Sequence, residues 1–237
     1  MKRLAALLLA AVLAGCAGDA DSVGDASVRV YLLRDGGGTV RPVRRDVDEA
    51  TSRAALNELL EVASSQEAGE LGATSGIPEG SSVDVFSLEG DTATVALTTE
   101  LGDDGLAQVV FTLTQFPSVR SVDIQGGTFS RATFESTYTP SILVESPLPF
   151  EAISSPLRAT GTANTFEANF QYELTDSDGR VIAENFVTAT SGTGTRGTFE
   201  FTVPFELDGD GTLIVFESSA KDGSGINIAE IPLRFES

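Results

Sequence analysis

The chain has no histidine, no tryptophan, one cysteine and two lysines in 237 residues. Each shortage closes a class of chemistry. Most general acid–base catalysis leans on His, and zinc and iron sites lean on His and Cys. A Ser-His-Asp or Cys-His arrangement cannot be assembled here. The lone Cys16 allows no intramolecular disulfide, so an exported form must rely on packed cores. Paired carboxylates could still cleave glycosides. Sugar clefts also stack rings on aromatics, and this chain offers three Tyr and no Trp. The expectation is a protein that is not an enzyme and holds no cofactor and no metal. Basic charge is scarce as well. The net charge is −20, with the acidic residues spread along the chain rather than gathered in a tail. Such a balance argues against nucleic acid, whose phosphates need Lys and Arg, and against a polybasic membrane contact.

The first residues read as an export signal. Lys2 and Arg3 precede ten apolar residues at 4–13, too few for a membrane span of ~20. The run ends in Leu13-Ala14-Gly15-Cys16, which resembles a bacterial lipobox. The resemblance implies cleavage between Gly15 and Cys16, and a diacylglycerol on the Cys16 thiol. Two acyl chains give stable anchoring, each buried CH₂ contributing ~0.8 kcal/mol. The alternative is an ordinary cleavable signal with a chance cysteine. Losing Lys2 and Arg3 takes the charge to −22. Residues 17–27 are small, acidic and Gly-bearing, a flexible tether reaching ~35 Å at ~3.3 Å per residue.

Residues 28–136 alternate strand and helix signals. Residues 28–33 read as a strand. A helix is expected over 46–65, with Asp46 and Glu49 as a capping box and Ala55, Leu56, Leu59, Leu60 and Ala63 on its apolar face. Strands at 83–88 and 92–98 turn on Gly90-Asp91. Leu106, Val109, Val110 and Leu113 fit a second helix, capped by Asp103 or Asp104 and stopped by Pro117. Another strand follows at 119–125. The order β-α-β-β-α-β predicts a small sheet with both helices on one face.

A linker is expected at 137–141. From 142 to 237 period two takes over. Phe166, Ala168, Phe170, Tyr172 and Leu174 alternate with polar residues, as do Phe199, Phe201, Val203 and Phe205, and Ala229, Ile231, Leu233 and Phe235. With strands at 142–145, 157–163, 181–190 and 212–219, about seven short strands predict an immunoglobulin-like β-sandwich. Phe must fill the place of the usual Cys pair and Trp. The expected fold class is an α+β domain followed by this all-β sandwich.

Two stretches resemble known bacterial domains. Arg41-Pro42-Val43, Ile77-Pro78-Glu79-Gly80 and Phe111-Thr112-Leu113-Thr114-Gln115-Phe116-Pro117 are similar to the GerMN domain of sporulation and germination lipoproteins. Ser146-Pro147, Gly161, Phe166-Glu167, Asp178-Gly179 and Ser219-Ala220-Lys221-Asp222-Gly223 resemble the immunoglobulin-like domain of bacterial spore germination. The resemblance implies a non-enzymatic envelope protein, and a lipid on Cys16 would hold it on the outer face of the cytoplasmic membrane, with envelope proteins as expected partners. It carries no catalytic residues.

Few other features point to a site. Asp208-Gly209-Asp210-Gly211 and Asp176-Ser177-Asp178-Gly179 hint at calcium, but position twelve is Ser219 or Val187 instead of Glu. They read as hairpin turns. Residues 190–198 form a Gly/Thr-rich loop read as flexible, and Thr193, Gly194, Thr195 and Arg196 are the candidate partner contact. The leading expectation is a lipid-anchored binding or scaffold protein. The alternatives are a substrate-capture lipoprotein serving a transporter, and a carboxylate-based cell-wall hydrolase.

Overall fold

The computed structural model describes residues 26–34, 38–63, 65 and 67–236. The signal, Gly15, Cys16 and most of the tether lie outside the described residues. The tether's expected last two residues are already strand. β1 (Ala26–Arg34) pairs antiparallel with β2 (Val40–Val47), so that Ala26 faces Val47 and Ser27 faces Asp46. β2 replaces the expected start of the first helix. It is an edge strand in the order β2-β1-β3, which is why Pro42 is tolerated in it. The Asp46/Glu49 capping box does not form. Asp46 is instead bound by Arg44 at 2.9 Å, and α1 (Ser52–Ala63) starts after Thr51, whose hydroxyl accepts the Ala54 N–H at 3.1 Å. α1 buries Ala55, Leu56, Leu59, Leu60 and Val62.

A short α2 (Glu67–Glu70) leads to β3 (Ala73–Thr74), which pairs with the end of β1. The second sheet has the order β4-β5-β6-β7. β4 (Val83–Glu89) and β5 (Thr92–Leu97) form the expected hairpin on Gly90, whose φ of 62° suits glycine. β6 (Ser121–Ile124) runs parallel to β5, and β7 (Gly127–Phe129) closes the sheet. The crossover between β5 and β6 is α3 (Asp103–Leu113). Leu106, Val109, Val110 and Leu113 are buried in it, as their spacing predicts. Its cap is Gly102 and not an aspartate. Asp103 and Asp104 sit in the first turn, where carboxylates meet the positive end of the helix dipole.

α4 (Arg131–Tyr138) was not foreseen, and it takes the first two residues of the expected linker at 137–141. Its capping box is reciprocal between Ser130 and Thr133, and Phe134 and Tyr138 anchor it to the core. One hydrophobic core gathers β1, α1, α3, α4 and the β5–β6 strands.

A second core lies within a β-sandwich. Its sheets are β13-β10-β8 and β12-β11-β14-β15-β9. The strands are β8 (Ile142–Ser146), β9 (Ala152–Ser154), β10 (Leu157–Ala163), β11 (Asn169–Asp176), β12 (Val181–Thr188), β13 (Gly197–Val203), β14 (Gly209–Ser218) and β15 (Gly225–Glu236). β9, a parallel partner of β15, is additional to the seven expected. Phenylalanine fills the core. Phe170 meets Phe199 edge-on at 4.9 Å, and Phe205 meets Phe235 at 4.8 Å. Phe166 departs from its expected alternation. Glu167 and Ala168 take positive φ, so β11 begins only at Asn169 and the Phe166 ring turns to solvent.

Candidate functional site

β1 has a strand beside it along one whole side but only β3 at its far end on the other. The exposed backbone groups there need partners. Helix α3 supplies them from one stripe of side chains at i, i+4 and i+7. Gln108 Nε2 donates to the Tyr31 carbonyl at 3.1 Å. The Tyr31 N–H donates to Thr112 Oγ1 at 3.0 Å. Just past the helix, Gln115 accepts the Arg29 N–H at 2.9 Å and donates to the Arg29 carbonyl at 2.5 Å. Gln108 also accepts the Gly76 N–H at 2.7 Å. The Thr-Leu-Thr-Gln run thus does the work of a missing strand, and its polar residues are structural.

A cluster of shifted ionisable groups, Tyr31, Arg131 and Glu145, lies where the two cores join. Along β8 alternate residues face opposite ways. Ile142 and Val144 enter the sandwich core, while Leu143 enters the first core. Glu145, next on the Leu143 side, accepts from Arg131 Nη1 at 2.7 Å and from the Tyr31 hydroxyl. Arg131 also donates to Tyr31 Oη at 3.1 Å, to Thr114 Oγ1 at 3.0 Å and to the Phe111 carbonyl at 3.3 Å. Its guanidinium stacks over the Tyr31 and Phe111 rings at 5.3 and 5.1 Å. Arg29 donates to the Glu145 carbonyl at 3.1 Å. Burial works to raise the Glu145 carboxyl, but Arg131, the Tyr31 hydroxyl and Arg29 outweigh it and hold it below the usual carboxylate range. Burial, reinforced by Glu145, pushes the Tyr31 hydroxyl up. Nearby, burial and the hydrogen bond to Asp104 push Tyr138 up to about 12.

The candidate loop divides at Arg196. Thr193, Gly194 and Thr195 are exposed. Arg196, only 11% exposed, turns to the junction. It donates to the Pro140 carbonyl at 2.8 Å and lies 3.7 Å from Glu135 of α4. The loop is also fastened, contrary to its reading as flexible. Thr193 N donates to the Thr165 carbonyl, and Gly194 N to Asn164 Oδ1, both at 2.9 Å. Gly192 is needed for this, since a Cβ there would stand 2.4 Å from Ala168 N.

The 176–179 stretch is a turn, with Asp176 Oδ1 accepting from the Asp178 and Arg180 N–H groups. The 208–211 stretch differs from its reading as a hairpin turn: it runs into β14. Among the described residues no group of three His, Cys, Asp or Glu is placed to hold a metal. A depression of about 760 Å³ has Asp46 and Glu58 on its wall, already bound by Arg44 and Arg45. A cleft of about 490 Å³ between β1–β2 and β14–β15 is lined by Arg34, Arg41, Thr212, Ile228, Glu230 and Pro232. Burial and the neighbouring Arg41 lower the Arg34 pKa, and Arg34 Nε has no hydrogen-bond partner.

β4 and β12 are two of the strands that end their sheets. On β4 the half-buried Phe86 is covered by the chain's own Arg53, 5.7 Å from the ring. On β12 the Phe186 ring is 70% exposed, and Phe166, 65% exposed, lines the same groove of about 180 Å³. Sequence reasoning selected the loop beside this groove and missed the groove itself.

These features define a two-domain protein, a mixed α/β unit joined through a shared strand to an immunoglobulin-like sandwich. Residues 29–127 match the family described as sporulation and spore germination, and residues 141–224 the immunoglobulin-like domain of bacterial spore germination. The chain thus carries a GerMN-type germination domain followed by the immunoglobulin-like germination domain. No curated protein matches the chain. Among solved structures it is similar to the tandem GerMN domains of the sporulation protein GerM from Bacillus subtilis, at 16% identity and a TM-score of 0.32, over 76% of this chain and 62% of that one. It is also similar to a putative lipoprotein from Clostridium perfringens, at 18% identity and a TM-score of 0.28, over 47% of this chain and 91% of that one. A third is CopC from Methylosinus trichosporium OB3b, at 13% identity and a TM-score of 0.29, over 40% of this chain and 93% of that one.

Proposed function

We propose that the protein is a non-catalytic binding or scaffold component of the cell envelope, held outside the cytoplasmic membrane by lipid on Cys16. The observation that carries this reading is the junction. Perturbed ionisable clusters are the usual first candidates for an active site. Here that cluster is spent on bonds between the two cores, with Arg131 and Glu145 each satisfied from within. The product of those bonds is position, two domains presented as one unit at the end of a short tether. The match to the two germination domains supports the envelope setting. Cys16→Ser should release the protein from membranes or leave its signal uncut. Photo-cross-linking in intact cells should then recover a defined envelope protein from the anchored form. Normal cleavage with unchanged membrane retention contradicts the anchor. Turnover of peptidoglycan fragments contradicts the non-catalytic reading.

One observation favours a second reading, a substrate-capture lipoprotein serving a transporter. Arg34 and Arg41 stand together in the cleft between the domains, and an anionic ligand would partner the Arg34 guanidinium there. Calorimetric titration with small carboxylates and phosphates tests it. Saturable binding that Arg34→Gln abolishes supports capture, and no heat with any of them removes it.

A further inference from the structure

We infer that the open edge of β12 takes up an extended, Lys- or Arg-bearing segment of another envelope protein as an added strand. This rests on the scaffold reading and names its contact. β12 is eight residues long and pairs only with β11. Proteins usually blunt such an edge with Lys, Pro or a covering element. This strand, VIAENFVT, has neither Lys nor Pro, and Val181, Ile182 and Phe186 stand exposed along it. The Phe186 N–H donates to the side chain next to it, Asn185 Oδ1, at 2.8 Å. An incoming carbonyl can replace that contact.

Charge selects the occupant. Glu184 on β12 lies directly opposite Glu173 on β11, and neither has an ion-pair partner among the described residues. Like charges directly opposite on a sheet destabilise it. A cation on the added strand removes that conflict. A second copy of this chain would double it, bringing another Glu173 and Glu184 to the same place and another charge of −20. Beside the strand, the groove between Phe166 and Phe186 offers an apolar seat for alternate side chains. β4 is the internal control. It is equally open, but Arg53 already covers its aromatic ring.

The test uses the full chain with Cys16→Ser and three synthetic nonapeptides that alternate Val with Lys, with Gln or with Glu. Backbone hydrogen exchange is followed along β12 and β4. The Lys peptide should slow exchange across β12 about tenfold or more at saturation, and leave β4 unchanged. The Gln peptide should bind about tenfold more weakly, and the Glu peptide not at all. Phe186→Ser, at a solvent-facing ring, should keep the fold and lose the protection. Glu184→Lys should exchange the preference, losing the Lys peptide and gaining the Glu peptide. No protection of β12 by the Lys peptide overturns the proposal, as does equal protection by all three or equal protection of β4. Photo-cross-linkers at Phe186 and Leu88 separate this from the scaffold reading. Cross-links to an envelope protein from Leu88 alone overturn the β12 contact and keep the scaffold. Cross-links from neither position overturn both.

Discussion

The domain junction and the β12 edge use the same residue types to opposite ends. At the junction one glutamate is met by a tyrosine and two arginines, and each guanidinium nitrogen of Arg131 donates a hydrogen bond. At the edge two glutamates face each other with no cation paired to them among the described residues, and two phenylalanine rings stand in water. The difference follows from burial. The side chain of Glu145 is 16% exposed and that of Arg131 28%, so an unmet charge there would be costly and the chain supplies all partners itself. Glu173 and Glu184 face solvent, where a like pair is tolerable and a partner can be recruited later. The junction is therefore where the molecule is finished, and the edge is where it is left open.

The strongest way to break this contrast is to remove the charge at the junction. Glu145→Ala strands Arg131 and should cost about 3 kcal/mol, at the low end for a buried pair because both partners keep some solvent. Urea unfolding measures it. The effect should also depend on pH. Unfolded Glu titrates near ~4.3, and folded Glu145 lower. Its contribution is complete above the unfolded value and is lost as pH falls through the folded one. The stability gap between wild type and Glu145→Gln should therefore narrow as pH falls through and below the unfolded value. A gap that widens on acidification contradicts the assigned direction.

Thr112→Val comes next. It keeps the shape and leaves the Tyr31 N–H without its acceptor, for a loss of about 2 kcal/mol in the same denaturation measurement. Arg196→Ala removes the hydrogen bond to Pro140 but also a buried, incompletely bonded guanidinium, so the loss should be only about 1 kcal/mol. Phe186→Ser at the edge should stay within about 0.5 kcal/mol of wild type. A larger loss would mean that the ring is packed, and the contrast with the junction would fail.

Much of the fold was legible because burial repeats with the period of each element. The α3 face at Leu106, Val109, Val110 and Leu113 was read from spacing with Pro117 as the stop, and the alternating Phe strands of the sandwich from spacing. Charge and proline hid β2, since Arg-Pro-Val-Arg-Arg resembles a strand only once its edge position is known. α4 is rich in Thr and Ser, weak helix formers, and its signals were the Ser130/Thr133 cap and the Phe134/Tyr138 spacing. The site was less legible for a different reason. Gln108, Thr112 and Gln115 form a polar stripe that makes sense only beside the bare side of β1. Leu143 and Glu145 look like the outside of an ordinary strand. Sequence periodicity shows which residues share a face, but not that the outside of one domain is the inside of its neighbour.

The central claim is that β8, gripped from both sides, makes the two domains one unit. Two spin labels test it most directly, placed by cysteine substitution at the exposed Thr94 of β5 and Thr202 of β13 in a Cys16→Ser background. The pulsed-resonance distance distribution should be a single narrow peak, and Glu145→Ala should broaden it. A distribution already broad with Glu145 in place, or one that Glu145→Ala leaves unchanged, would contradict the claim.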